Sequence, residues 1–290
     1  MKNGMENLHP IVLFIFFASC LTVTMLIMHP VFLVISFLSG LLFILVSGGV
    51  GDVVRSLRFN LVTSLMIILI NPLISHGGIT VITYLPDGNP LTMESVIFGC
   101  AAALLLSSAV NWFYCINRVL TSDKLIYLFG RATPKLALLI SMVLAFTEKL
   151  STHYKEVRDA RKCFGVKNKR IKGIIKNLSS TIQWALENSV DTADSMHSRG
   201  YASGKRTSYS LYHIRRKDII MIMLFAAADI IIVYSYYSGQ LYFSYYPMIT
   251  VEASSFAGCF SFIAFGMLCM MPVILKWKED AEWKYLQSGI

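Results

Sequence analysis

Charge is scarce in this chain: 15% of its 290 residues are Asp, Glu, Lys or Arg, against 55% hydrophobic residues and a mean hydropathy of +0.59. A soluble core has no use for that much Leu, Ile and Phe, so the shortage excludes an ordinary soluble domain. It points to an all-α, polytopic membrane protein with about six transmembrane helices. Cysteine is sparse and unpatterned. The six cysteines lie mostly in apolar runs without a C-x-x-C, and the six histidines are scattered singly, which argues against a disulfide framework and a metal site. No small-residue cleavage site follows the first apolar run, so that run reads as a retained span and not a signal peptide. An internal repeat is also lacking, which removes the main sequence signature of an inverted-repeat secondary transporter.

Catalytic chemistry is equally thin. Gly200-Tyr201-Ala202-Ser203-Gly204-Lys205-Arg206-Thr207 has the look of a phosphate-binding loop but fails twice. Three residues separate its glycines where the motif needs four, and Arg206 stands between the lysine and the hydroxyl residue. A helix precedes it where a strand is required, so its amides are not arranged to cradle phosphates. Ser-His-Asp and paired-carboxylate arrangements do not stand out, and a non-enzyme binding no cofactor itself is expected. Zinc-finger and RNP signatures are missing too, so nucleic acid is not an expected partner.

What is present is a set of apolar runs at 11–28, 31–47, 59–75, 95–117, 218–237 and 254–275. These approach or exceed the length needed to cross a hydrocarbon core of about 30 Å. His29-Pro30 divides the first two. Gly48, Gly49 and Gly51 mark either a hinge or an unwound span end before Asp52, Arg55 and Arg58. The turn-rich loop 76–94 has no Lys or Arg, and Tyr242, Phe243, Tyr245 and Tyr246 form an aromatic belt for a membrane face. Glu94 and Glu252 are expected to be solvated at the outer surface. Pro272 is expected to kink the last span near the inner surface, and Trp277, Lys278, Trp283 and Lys284 to anchor a tail.

With the N-terminus inside, all 26 Lys/Arg fall on the cytoplasmic side. This asymmetry predicts cytoplasmic N- and C-termini and a cell (plasma) membrane location in contact with the lipid bilayer. The expected division is an N-terminal transmembrane region at 1–120, a cytoplasmic segment at 121–217 between spans four and five, and a C-terminal transmembrane region with tail at 218–290. The stretch 136–146 is apolar but too short to span, and is read as the buried start of a cytoplasmic helix. Asp229 is the one acid deep in a span. An intramembrane acid is a functional candidate by default, and insertion of a charge there costs on the order of 3 kcal/mol. Beside Ala226-Ala227-Ala228 it also fits a neutral, hydrogen-bonded residue in a close helix contact.

The basic character belongs to one segment, 148–217, with 16 Lys/Arg against 6 Asp/Glu. Two basic punctuation marks stand within it: Asp159-Ala160-Arg161-Lys162 and His197-Ser198-Arg199-Gly200-Tyr201. The first closes a helix that starts at Thr133-Pro134 and runs to Cys163, with Gly165 ending it. Its second half carries Leu150, Tyr154, Val157 and Phe164 at helical spacing, with Arg161 on the same stripe. The second closes a helix with Ile174, Leu178, Ile182, Ala185/Leu186, Ser189, Ala193 and Met196 on one face and Glu187, Asp191 and Asp194 on another. Gly200 is placed as its C′ residue. Each arginine alone suits a helix C-terminus through the dipole. Two such tips in one segment also suit acidic grooves on a partner, because a guanidinium binds a carboxylate bidentately.

Ala160-Arg161-Lys162 and Ser198-Arg199-Gly200 resemble the paired Ala-Arg-Gly signatures of the transmembrane T component of energy-coupling factor (ECF) transporters, the CbiQ-like family. Lys162 stands where the family has Gly, and Ser198 where it has Ala. The resemblance implies that the two tips are coupling helices docking onto two ABC-type ATPase subunits, or a fused pair, which would hold the ATP and Mg. It also implies a small substrate-binding membrane (S) subunit and uptake of a vitamin, vitamin precursor or transition-metal ion. The apolar stripes would then face each other, the membrane surface and that subunit. The alternative is a stand-alone membrane carrier or intramembrane enzyme using Asp229, with the basic segment serving topology and anionic lipids. A conventional ABC permease is a third reading, but its Glu-Ala-Ala loop is missing.

Overall fold

The computed structural model describes residues 8–75, 77–84, 90–165, 171–201, 204, 212–251 and 256–288. Glu252 and most of the 200–207 stretch lie outside these residues. The chain forms two compact units, residues 1–121 with 212–290 and residues 122–211. Six of the described helices are long and apolar enough to cross a membrane, and the protein is an all-α polytopic membrane protein.

The first unit contains α1 (Pro10–Leu26), α2 (Pro30–Gly48), α3 (Val50–Ile74), α4 (Met93–Val119), α8 (Arg216–Tyr237) and α9 (Phe256–Ser288). His9-Pro10 and His29-Pro30 open α1 and α2 in the same way. Proline fits the first helical position, and the preceding histidine's Nδ1 accepts a free backbone N–H, from Ile11 and Val31 respectively, at 3.3 Å in both. At the glycine cluster α2 stops and α3 starts with a one-residue break. Gly49 takes φ +84° there, a left-handed angle that glycine adopts without steric cost. α9 passes through Pro272 as one continuous helix.

Trp112 of α4 organises the core, fully buried against Phe16 and Phe17 with ring centroids 5.8 and 6.2 Å away. Phe16 also meets Phe225 of α8 at 5.5 Å, so one aromatic cluster ties α1, α4 and α8 together. Trp112 Nε1 donates to Ser36 Oγ of α2 at 2.9 Å, and Ser36 also meets Thr24 Oγ1 at 2.9 Å. A second polar seam joins α3 to α4: Ser56 Oγ and Asn60 Nδ2 both donate to Asn111 Oδ1, at 2.7 and 2.8 Å, and Ser64 pairs with Ser107 at 2.9 Å. Along α3 these residues repeat every four positions, so the polar groups face α4 while Leu61, Leu65 and Leu69 stay exposed. That is the arrangement lipid demands, since a hydroxyl or amide turned outward would have no partner.

The connections at one end of this unit are tied together. Tyr245 hydroxyl donates to Met28 carbonyl at 2.9 Å, and Ser75 Oγ donates to Tyr246 hydroxyl at 3.0 Å. β1 (Val81–Tyr84) and β2 (Pro90–Thr92) form an antiparallel hairpin between α3 and α4, and β3 (Phe243–Ser244) pairs antiparallel with β4 (Thr250–Val251). Burial pushes the Tyr245 phenol up to about 12 and lowers His29, which packs against Phe243 and Phe262. Glu94 corrects the solvated expectation. It is 4% exposed, and its carboxylate accepts from Thr80 Oγ1 at 2.6 Å and from the Thr80 amide. The hairpin folds Thr80 over the start of α4, a contact invisible in the linear spacing. At the other end of α4, Arg118 pairs with Asp52 at 2.7 Å over Gly48, where a Cβ would stand 2.6 Å from Arg118 Nη1.

The second unit contains α5 (Ser122–Ala132), α6 (Pro134–Cys163) and α7 (Ile171–Ser198). Gly130 of α5 lies against Ala137 of α6. The stretch 136–146 is not a buried start. It is continuous with the rest of α6, and Leu136, Leu139, Val143 and Leu144 are exposed. Counted over its whole length α6 is among the six helices long and apolar enough to span, whereas α1, at 17 residues, is a shorter apolar helix. A helix continues as long as no stop signal intervenes, and the sequence from Lys135 to Lys162 contains neither Gly nor Pro.

Candidate functional site

The two basic marks close α6 and α7, but in different ways. On α7 the Gly200 amide donates to His197 carbonyl at 3.0 Å, and the Tyr201 amide to Met196 carbonyl at 3.0 Å, with Gly200 at φ +83°. This is a Schellman cap, which makes Arg199 the cap residue and Gly200 the left-handed C′ residue. On α6 the left-handed residue is Gly165, at φ +72°, whose amide donates to Lys162 carbonyl at 2.9 Å. Arg161 therefore sits nearly a turn inside its helix. Position 162 is Lys and not Gly, and α6 ends at the first glycine that follows, Gly165. Similar tripeptides thus occupy non-equivalent positions.

Their side chains differ accordingly. Arg161 Nη1 donates to Asn177 Oδ1 at 2.6 Å and to Gly173 carbonyl at 3.4 Å, bracing the end of α6 against α7. Asn177 is 1% exposed, so this bond is shielded from water. Arg199 is exposed and has no side-chain partner among the described residues. Ala160 and Lys162 are exposed, and Lys162 pairs with Asp159 at 3.0 Å, as Arg158 does at 3.3 Å. These are solvent-facing local pairs with little energetic weight. Ser198 Oγ bonds back to Asp194 carbonyl at 2.9 Å within α7.

α7 carries three faces. Against α6 it turns Gly173, Asn177, Thr181 and Trp184, which are small, polar or aromatic. Ile174, Leu178, Ile182, Leu186 and Val190 point away and are between 49% and 64% exposed. Lys172, Lys176, Glu187 and Asp191 form a charged face that is also exposed. Of the three coverings expected for the apolar stripes, the facing helix is not the one that covers α7: its stripe points away from α6. Once Arg161 is bonded to Asn177, the helix is fixed in the rotation that presents the polar face inward.

Trp184 was not singled out by its sequence context, yet it anchors the pair. His153 of α6 stacks on it with ring centroids 4.1 Å apart and planes 18° from parallel, and Phe146 lies 6.2 Å away. His153 Nδ1 also lies 3.4 Å from Glu156. A surface cleft of about 530 Å³ opens beside this stack, lined by Glu148, Lys149 and Asn188 among others. As the sole aromatic in α7, two turns beyond Asn177, Trp184 carried a spacing signal for this contact.

Asp229 lies in the first unit and is partly buried. Ser19 Oγ of α1 donates to its Oδ2 at 2.5 Å, while Oδ1 is buried without a partner among the described residues. α1 and α8 pack against each other, with Ala228 buried while Ala226 and Ala227 are exposed. Among the described residues, no group of three or more His, Cys, Asp or Glu could hold a metal ion.

No protein-family model matches the chain, and no curated protein matches it.

Proposed function

We propose that this chain is the transmembrane scaffold and energy-coupling subunit of an ECF-type ABC importer. The observation that carries the reading is α7: a helix with its apolar stripe turned outward, ending in a glycine-capped turn that presents an exposed arginine. An outward apolar stripe beside a charged face suits a partner or an interface, and a capped tip presents a guanidinium in a defined place for an acidic groove. In this reading two ABC-type ATPase subunits, or a fused pair, hold ATP and Mg and move when they close. Arg199 receives that motion at the tip of α7. Arg161 conducts it across to α6, because its bond to Asn177 makes the two helices move as one piece. The pair then tilts or releases a small substrate-binding membrane subunit carrying a vitamin, vitamin precursor or transition-metal ion. The chain itself is non-catalytic, lies in the cell membrane and keeps both termini in the cytoplasm.

Affinity purification from native membranes in mild detergent tests the reading. The tagged wild-type chain is expected to retain ABC ATPase subunits and a small hydrophobic protein. Arg199→Glu is expected to insert normally and lose the ATPases, because like charges then face each other in the groove. Full ATPase retention and transport by Arg199→Glu would sink the proposal. The carrier or enzyme alternative forecasts the reverse, with Asp229→Asn inactive and Arg199→Glu active.

A further inference from the structure

Residues 136–147, the first part of α6, carry no charge, and Leu136, Leu139, Ile140, Val143 and Leu144 form one stripe that is between 39% and 56% exposed. These 12 residues cover about 18 Å of helix, short of a hydrocarbon core of about 30 Å, and the charges from Glu148 onward stop the apolar run there. An apolar stretch of this length belongs either to a buried core helix or to an interfacial segment. Its exposure removes the first. Thr147 shares the stripe and turns its hydroxyl back to Val143 carbonyl at 2.7 Å, so it presents no unpaired donor to lipid.

α5 has the same character. Leu125 and Phe129, one turn apart, are 38% and 51% exposed, while Lys124 is 4% exposed and Gly130 lies against Ala137 of α6. The place of these helices in the chain says what covers them. α4 is 27 residues long, about 40 Å, which matches a bilayer together with its headgroups. Arg118 near its end pairs with Asp52, both partly exposed, so α4 ends in the headgroup region. Leu120 and Thr121 alone separate that end from α5. From Arg118 to Lys149 the sequence holds five Lys/Arg against two Asp/Glu, an excess that anionic headgroups attract, and Lys135 and Lys149 flank the charge-free run and are exposed.

We propose that α5 and the first three turns of α6 lie in the bilayer surface, with Leu125, Phe129, Leu139 and Val143 among the acyl chains and Lys135 and Lys149 at the headgroups. An amphipathic helix held in this way buries its apolar face at the boundary between headgroups and acyl chains. A protein partner would have to displace lipid already present at that depth. The inference goes beyond the coupling role and does not depend on it, since it uses no residue of α7 and needs no ATPase.

The test uses the full-length wild-type protein alone in liposomes of phosphatidylcholine and phosphatidylglycerol, photolabelled with a lipid-phase aryl diazirine and mapped by mass spectrometry. Residues 125–129 and 136–147 are expected to be labelled at least about 5-fold above the charged stretch 155–162, as the exposed leucines of α3 at 61–69 are. Labelling of either stretch at the level of 155–162 overturns the proposal. Power-saturation EPR in nanodiscs holding one copy gives a second reading. The exposed Cys100, Cys163 and Cys259 are replaced by serine, the buried cysteines stay, and a spin label is placed by Phe129→Cys, by Val143→Cys or, as an exposed control, by Lys155→Cys. Oxygen is expected to reach the label better than a water-soluble nickel chelate at 129 and 143, and the reverse at 155. Equal nickel access at all three positions overturns the proposal, as does a label at 129 and 143 screened from both reagents, which would place protein over the stripe. Should a labelled variant fail to fold, photolabelling of the wild-type protein decides alone.

Discussion

α3 and α7 are both inside-out helices, and they differ in what lies beside their exposed apolar faces. Each packs through polar or small side chains, Ser56, Asn60 and Ser64 on α3 against α4, and Asn177 and Thr181 on α7 beside α6. Each exposes Ile, Leu and Val. Beyond Arg58, however, α3 has no charged residue, so its exposed surface is uniformly apolar and suits hydrocarbon on every side. α7 exposes a charged face beside its apolar one. A uniformly apolar surface is solved by lipid alone, whereas a two-faced surface needs water on one side and an apolar partner or interface on the other.

The comparison breaks first at the core of the first unit. Trp112→Ala removes the ring shared by Phe16 and Phe17 and leaves Ser36 without its donor, so a loss of about 3–5 kcal/mol is expected. Unfolding by titration with SDS in mixed micelles measures it, and a loss below about 1 kcal/mol would mean that the aromatic cluster is not what joins α1, α4 and α8. A smaller effect sharpens the comparison. Asn111→Leu takes the shared acceptor from Ser56 and Asn60, and intramembrane hydrogen bonds of this kind contribute roughly 0.6–2 kcal/mol. The same titration is expected to fall in that range. No change would indicate that α3 and α4 are held by packing alone.

How far the sequence could be read follows from the range of the forces involved. Local signals were legible: Thr133-Pro134 starts α6, and Gly165 and Gly200 end α6 and α7, because caps depend on residues a few positions apart. The apolar runs were legible as helices because hydrocarbon length sets a simple count. Long-range pairing was not. Nothing near Glu94 announces Thr80 as its partner, and Ser19 and Asp229 are 210 residues apart. The stripe on α7 was visible, but its direction was not, since periodicity gives a face without saying what covers it. At the two basic marks the closeness to a helix end was legible and their inequality was not. α6 runs past Lys162 to stop at Gly165, and only the bond to Asn177 reveals Arg161 as a brace where Arg199 has no such partner among the described residues.

The smallest effect on stability is expected where the comparison matters most. Leu178→Ser with Ile182→Ser replaces two side chains that are 51% and 49% exposed and face away from α6. Such substitutions change folding stability by about 0.5 kcal/mol or less when nothing covers them. The double variant is therefore expected to unfold like the wild type in detergent, with the His153–Trp184 stack and the Arg161–Asn177 bond intact. Under the coupling role proposed above, in native membranes it is expected to lose the small hydrophobic partner subunit, because the stripe is an exposed apolar surface on which such a partner would dock. An unaltered set of co-purifying proteins would assign the stripe to the lipid interface, making α7 like α3 after all. A large loss of stability in detergent would mean that the stripe is covered within the chain itself.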